Sequence, residues 1–229
     1  MQKRLDVAAE EYRQGVKATD TEARGHFIRA VESYQAIEKE GRSGELYYNM
    51  GNSYYMLQDY PIALYYYYKA SELIPSNRYL KRHIALTKDK LLLPQKERRS
   101  LLQRLFFARD LLSSTELFAA VFIFSSFAFL FYSLSIWSRK GRWRTIALLC
   151  SIPAVYLLFN EGWFQYVRPI SGVVARDSVL YGQSRKKIVD LPAGIKVAII
   201  DVLPSGAWLQ VRTEKREEGY LPVGEVLAL

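Results

Sequence analysis

The sequence predicts a multidomain protein in which an all-α repeat stack, a two-helix transmembrane hairpin and a small all-β barrel follow one another along 229 residues. Three observations predict it. Residues 44–75 hold two helix-spaced segments whose large and small residues recur at repeat positions. Two uncharged apolar runs, Leu117 to Ser138 and Thr145 to Asn160, stand close together in the middle of the chain. Beyond about residue 170 the apolar period changes from 3.6 to 2. The parts divide as a repeat domain over 1–93, a basic amphipathic helix over 94–113, spans over 114–138 and 145–166 joined by the connector 139–144, and the β domain over 170–229.

From the N-terminus, Asp6 to Lys17 and His26 to Lys39 show helical spacing, separated by a turn at Thr19-Asp20-Thr21. Gly41-Arg42-Ser43-Gly44 is the next break, and the helices Glu45 to Leu57 and Pro61 to Leu73 follow it. Pro61 suits the first turn of its helix, and Pro75 stops it. With Gly44 as position 1 of a 34-residue unit, Tyr47, Met50, Gly51, Tyr54, Ala63, Tyr67, Ala70 and Pro75 occupy the signature large and small positions of the tetratricopeptide repeat. There the small residues let paired helices approach and the aromatics fill the space between them. The segment before resembles a divergent repeat through Ala30, Tyr34 and Ile37, with Tyr12 and Gly15 in its first helix. Arg78 to Leu93 reads as a helix that caps the stack.

Lys96 to Leu112 places Leu101, Leu102, Leu105, Phe106 and Leu112 on one side of a basic helix. Such a helix either lies in the membrane interface or extends the cap onto the repeats. Ser113-Ser114-Thr115-Glu116 has the spacing of a capping box and starts a fresh helix. The first apolar run, rich in Phe, Leu and Ile, matches the roughly 20 residues needed to cross a hydrocarbon core. The second is shorter and contains Pro153, but Trp143 on one side and Trp163, Phe164 and Tyr166 on the other resemble interfacial aromatic belts. Arg139, Lys140, Arg142 and Arg144 in the connector are the topology determinants. Arg99, Arg104, Arg109 and Arg168 flank the outer ends in equal number but at lower density, which favours a cytoplasmic connector with both domains on the opposite side.

After the hairpin, Gly172 to Ala175, Ser178 to Tyr181, Ile195 to Leu203, Ala207 to Thr213 and Gly219 to Pro222 read as short strands of a small barrel. The order Val173-Val174-Ala175, Leu191-Pro192-Ala193-Gly194-Ile195-Lys196-Val197, Trp208-Leu209-Gln210-Val211-Arg212 and Glu218-Gly219-Tyr220-Leu221 resembles the bacterial SH3 (SH3b) domain. Where many members have an Arg-x-x-Pro-like loop, Tyr181-Gly182-Gln183-Ser184 stands instead. In so small a domain aromatics supply most of the core, so Trp208 and Tyr220 are expected inside it.

The formal charge of +9 concentrates beside the spans, where it points to anionic lipid and not to nucleic acid. A lone cysteine, Cys150, leaves no disulfide or zinc cluster to form, and His26 and His83 are isolated in helices. HExxH, GxSxG and Gly-rich phosphate loops are absent from the sequence, so no enzyme activity and no cofactor is expected. The candidate partner surface is the arc Tyr48, Asn49, Asn52, Tyr55 and Met56, adjacent to the arc that faces the paired helix. In stacked repeats the first helix of each pair lines the concave side. The alternative is that these side chains pack on the neighbouring repeat. In Tyr65-Tyr66-Tyr67-Tyr68, Tyr67 fits the core, while the other three offer an exposed aromatic patch.

The whole order resembles BatE, the tetratricopeptide and SH3 member of the bacterial aerotolerance-operon proteins. Its most specific part is Leu46-Tyr47-Tyr48-Asn49-Met50-Gly51-Asn52-Ser53-Tyr54-Tyr55, leading to Asp59-Tyr60 and Ala63. The resemblance implies a non-catalytic inner-membrane scaffold beside von Willebrand factor A-type membrane proteins and a MoxR-type ATPase, in envelope stress tolerance or complex assembly. It also implies an N-terminal signal peptide, whereas Met1-Gln2-Lys3-Arg4-Leu5-Asp6 has no apolar h-region. The alternative function is an envelope anchor whose SH3-like domain binds peptidoglycan while the repeats recruit a wall enzyme.

Overall fold

The computed structural model describes residues 2–95, 111–138, 140–166, 170–184, 186–204 and 206–229. Among them are helices α1 (Gln2–Lys17), α2 (Asp20–Glu38), α3 (Gly44–Met56), α4 (Tyr60–Leu73), α5 (Arg78–Lys90), α6 (Ser114–Ser138) and α7 (Gly141–Tyr166). Strands β1 (Ile170–Val174), β2 (Ser178–Tyr181), β3 (Lys187–Leu191), β4 (Lys196–Val202), β5 (Trp208–Thr213), β6 (Glu218–Pro222) and β7 (Val226–Ala228) complete the chain. The chain forms two compact units, 1–98 with 169–229 and, separately, 99–168.

In the first unit, α1 packs on α2, α2 on α3, α3 on α4 and α4 on α5. Ser43 caps α3 by accepting from the Leu46 amide at 3.0 Å, and Asn77 caps α5 by accepting from the Leu80 amide at 3.0 Å. The shared core holds Ala30, Tyr34, Ile37, Tyr47, Met50, Ala63, Tyr67 and Ala70, all buried. Gly51 explains how α3 and α4 come so close, because a Cβ there would stand 2.4 Å from the Tyr67 ring. Gly15 plays the same part between α1 and α2, where a Cβ would meet the Phe27 ring at 2.8 Å. Pro75 is buried, and Tyr54 is half-buried with its ring stacked on Tyr66 at 5.4 Å. The cap helix ends at Lys90, three residues short of the expected Leu93, and Leu92 takes a left-handed turn at φ 54°.

The same unit contains a seven-stranded antiparallel sheet in the order β3-β2-β6-β5-β4-β1-β7. Its core is aliphatic: Val174, Leu180, Leu191, Val197, Leu209, Val211, Leu221 and Val226. β3 and β7 go beyond the five strands expected. β7 has only three residues and follows a 3₁₀ turn at Val223–Glu225, and in β3 the sequence Lys187-Ile188-Val189-Asp190-Leu191 does not alternate, so neither stands out in the sequence.

The second unit is an α6–α7 hairpin. Thr115–Ser138 and Gly141–Asn160 are each long and apolar enough to cross a membrane. The capping box forms as expected: the Ser113 amide donates to Glu116 Oε2 at 2.7 Å and the Glu116 amide to Ser113 Oγ at 3.4 Å. α7 starts at Gly141, so Arg142, Trp143 and Arg144 sit in its first turn instead of in a connector. Trp143 stacks on Phe131 at 5.7 Å, and Arg144 Nε donates to the buried Ser135 Oγ at 3.2 Å. The basic helix expected over Lys96–Leu112 falls outside the described residues up to residue 110, as do Arg139 and Arg168. The side chains of Trp163, Phe164 and Tyr166 lie outside them too.

Candidate protein-binding surfaces

The arc predicted on α3 divides in the structure. One face of that helix, through Tyr47, Met50 and Gly51, is consumed by the core. On the next face, Tyr48 and Asn52 are also engaged inside the molecule. Asn52 Oδ1 accepts from Tyr67 Oη at 2.9 Å and lies 2.8 Å from His83 Nδ1. The assignment that satisfies these groups has His83 Nδ1–H donating to the same oxygen. The Tyr48 ring rests 5.4 Å from His83 and 6.1 Å from Tyr67. These two residues therefore join α3 to α4 and α5, a contact that no sequence spacing revealed because His83 comes from the third helix in the row. Burial, with Arg82 adding to it, holds the His83 imidazole below its ordinary pKa, and burial raises the Tyr48 phenol.

The rest of the arc is partly covered, and Tyr55 packs against the edge of the helical core. Asn49 is half-buried, Met56 is 40% exposed, and Tyr55 meets Tyr60 edge-on at 5.3 Å. The tyrosine run does not form the expected exposed patch. Tyr66, Tyr67 and Tyr68 are buried, and half-buried Tyr65 packs edge-on against Tyr66. Lys69 fixes that cluster, with Nζ 2.5 Å from Glu38 Oε1 and 4.2 Å from the Tyr47 ring centroid.

The β domain corrects a second expectation. Trp208 and Tyr220 are outside the core. Strand alternation gives the reason: Leu209 and Val211 point inward on β5, so Trp208 and Gln210 point outward. On β6, Gly219 and Leu221 are buried, and Tyr220 and Pro222 share the other face. The registers Tyr181↔Tyr220, Gln210↔Tyr220 and Trp208↔Pro222 gather these residues into one half-buried row on the outer face. Tyr181, expected at the end of a strand where the Tyr181-Gly182-Gln183-Ser184 loop begins, meets Trp208 edge-on with centroids 5.7 Å apart. Its signal was present in the period-2 pattern of Ser178-Val179-Leu180-Tyr181, where buried Leu180 sends Tyr181 outward.

This row offers flat aromatic faces beside amide and hydroxyl hydrogen-bonding groups, the chemistry by which side chains hold an extended peptide or another ring-bearing ligand. Among the described residues, no three His, Cys, Asp or Glu side chains gather as a metal site would require. Compared with known proteins, the chain matches no protein-family model and no curated protein sequence.

Proposed function

We propose that the protein is a non-catalytic scaffold anchored in the bacterial inner membrane by α6 and α7, with its tetratricopeptide-like helices and SH3-like β domain in the periplasm. It docks partner proteins, von Willebrand factor A-type membrane proteins foremost, in an envelope stress or aerotolerance complex of the BatE kind. The observation that carries this reading is the row of Tyr181, Trp208 and Tyr220 on the outer face of a domain whose core is complete without them. Partly exposed large aromatics gathered on an outer face, beyond those the core encloses, fit a docking role. Asn49, Tyr55 and Met56 supply a second surface on α3.

Affinity capture of the full-length chain from native membranes tests this, with partners quantified by mass spectrometry. Trp208→Ala with Tyr181→Ala is expected to lose the von Willebrand factor A-type partners at a temperature where circular dichroism shows the variant still folded. Unchanged capture would remove the β domain from the interface. If those variants instead stop the full-length protein from co-sedimenting with purified cell wall, the aromatic row serves peptidoglycan. Alkaline phosphatase fused after Leu229 is expected to be active in cells; activity only from a fusion at Gly141 would reverse the topology.

A further inference from the structure

We infer that residues 170–229 are the built-in cap of the helical stack, docked on α4 and on the turn after α5. The contact holds the two stretches of chain that flank the hairpin on one face of the membrane. It is an apolar cluster drawn from both parts: Leu64 and Tyr68 from α4, Leu93 after α5, and Val173 from β1, with Leu91, Ile84, Ile195 and Leu229 around them. Leu64 and Val173 are wholly buried. Leu64 and Tyr68 lie one turn apart and form a stripe that the α3 contact does not use.

The tip of the β3–β4 turn is fitted to this stripe. Gly194 has φ +83°, and a Cβ on it would stand 2.5 Å from Leu91 Cδ1, 3.1 Å from Leu93 Cδ1 and 3.2 Å from Leu64 Cδ1. Backbone therefore sits directly on three leucines, in a conformation and a space that only glycine allows. The tip is held from behind, since the Gly194 amide donates to the Val174 carbonyl at 2.7 Å and the Ala193 amide to Asp177 Oδ1 at 2.8 Å. Lys196 from β4 places Nζ 4.9 Å from the Tyr68 ring centroid, and Lys88 from α5 comes within 5.8 Å of it. The left-handed turn at Leu92 ends α5 where Leu91 and Leu93 can reach the β domain.

The consequences for function rest on the membrane-anchored reading above. An apolar contact of this kind cannot form across a bilayer, so the hairpin joining its two halves crosses an even number of times. The docked face of the β domain is also unavailable to partners, which leaves its aromatic row as the surface to offer. That row and the outward residues of α3 then belong to one body, and partners held by them are held together.

Crosslinking the full-length chain in native membranes tests the contact. In a Cys150→Ser background, Leu92→Cys and Pro192→Cys place exposed thiols beside the Gly194 tip and the leucines it covers. Arg212→Cys with Glu218→Cys, neighbours across β5 and β6, is the control for reagent access. With a flexible bismaleimide, the Leu92–Pro192 pair is expected to link within one chain about as completely as the control. Adding Val173→Asp should lower that yield at least about tenfold. A control that links while the test pair does not, or a yield indifferent to Val173→Asp, would overturn the inference. Linkage found only at dimer mass would do so too, by assigning the cap to a second copy. The phosphatase fusions report the spans independently, so failure of the contact and failure of the membrane reading are distinguishable.

Discussion

Gly51 and Gly25 show how differently one residue type can serve neighbouring helices. A methyl group at Gly51 would enter the Tyr67 ring, which is wholly buried and cannot retreat. Gly51→Ala is therefore expected to destabilise the helical stack by about 1–3 kcal/mol. A Cβ at Gly25, inside α2, meets only the Arg29 guanidinium at 3.5 Å. Gly25→Ala should stabilise by about 0.5–1 kcal/mol through helix propensity alone. Denaturant unfolding followed by circular dichroism separates the two. In the β domain, Leu221→Ala removes a wholly buried side chain and is expected to cost about 2–5 kcal/mol.

At the scale of elements, α6 is apolar all round, with Phe122, Phe129 and Trp137 exposed, and is long and apolar enough to cross a membrane. α7 carries a discordant residue. Asn160 is 1% exposed, and among the described residues neither its amide nitrogen nor its oxygen has a hydrogen-bond partner. A buried amide without partners costs about 1–3 kcal/mol, so Asn160→Leu is expected to stabilise the hairpin by a similar amount. Unfolding in detergent micelles, read by Trp fluorescence, checks this; a destabilised variant would mean that the amide has a partner in the membrane. The capping box at Ser113 was legible because it depends on two residues three apart. The start of α7 at Gly141 was not, because the charged connector lacks a helix-breaking signal strong enough to mark either boundary.

For the whole molecule, the dense tyrosine packing makes stability depend on alkaline pH. Burial raises the phenols of Tyr34, Tyr66 and Tyr67 above their ordinary value, so the folded state keeps protons that the unfolded chain releases near pH 10. Burial alone would lower Lys69, but its hydrogen bond to Glu38 and the nearby tyrosines raise it, in the same sense for stability. All four contributions are present below about pH 10 and are lost as pH rises through the folded values. Cooperative loss of helicity above about pH 10, together with a sharp rise in tyrosinate absorbance, is the expected outcome. Gradual ionisation with helicity intact would contradict it.

The sequence by itself determined the helix pairs, the close approach at Gly51, the apolar hairpin with its capping box, and most of the strands. Each of these rests on residues within a turn, a helix or a strand of one another, where period and steric size act directly. The tertiary structure decided the rest: that Asn52 bonds to Tyr67 and His83, that Tyr68 is covered by the β domain, and that Trp208 faces outward. Gln210 beside Trp208, and Glu218 beside Tyr220, mark the outer face of their strands, a polar signal that the bulk of the neighbouring aromatics masks. The docking of residues 170–229 on α4 had no such local signal. It joins residues more than a hundred positions apart through apolar contact, and apolar attraction carries no address in sequence until the fold brings the surfaces together.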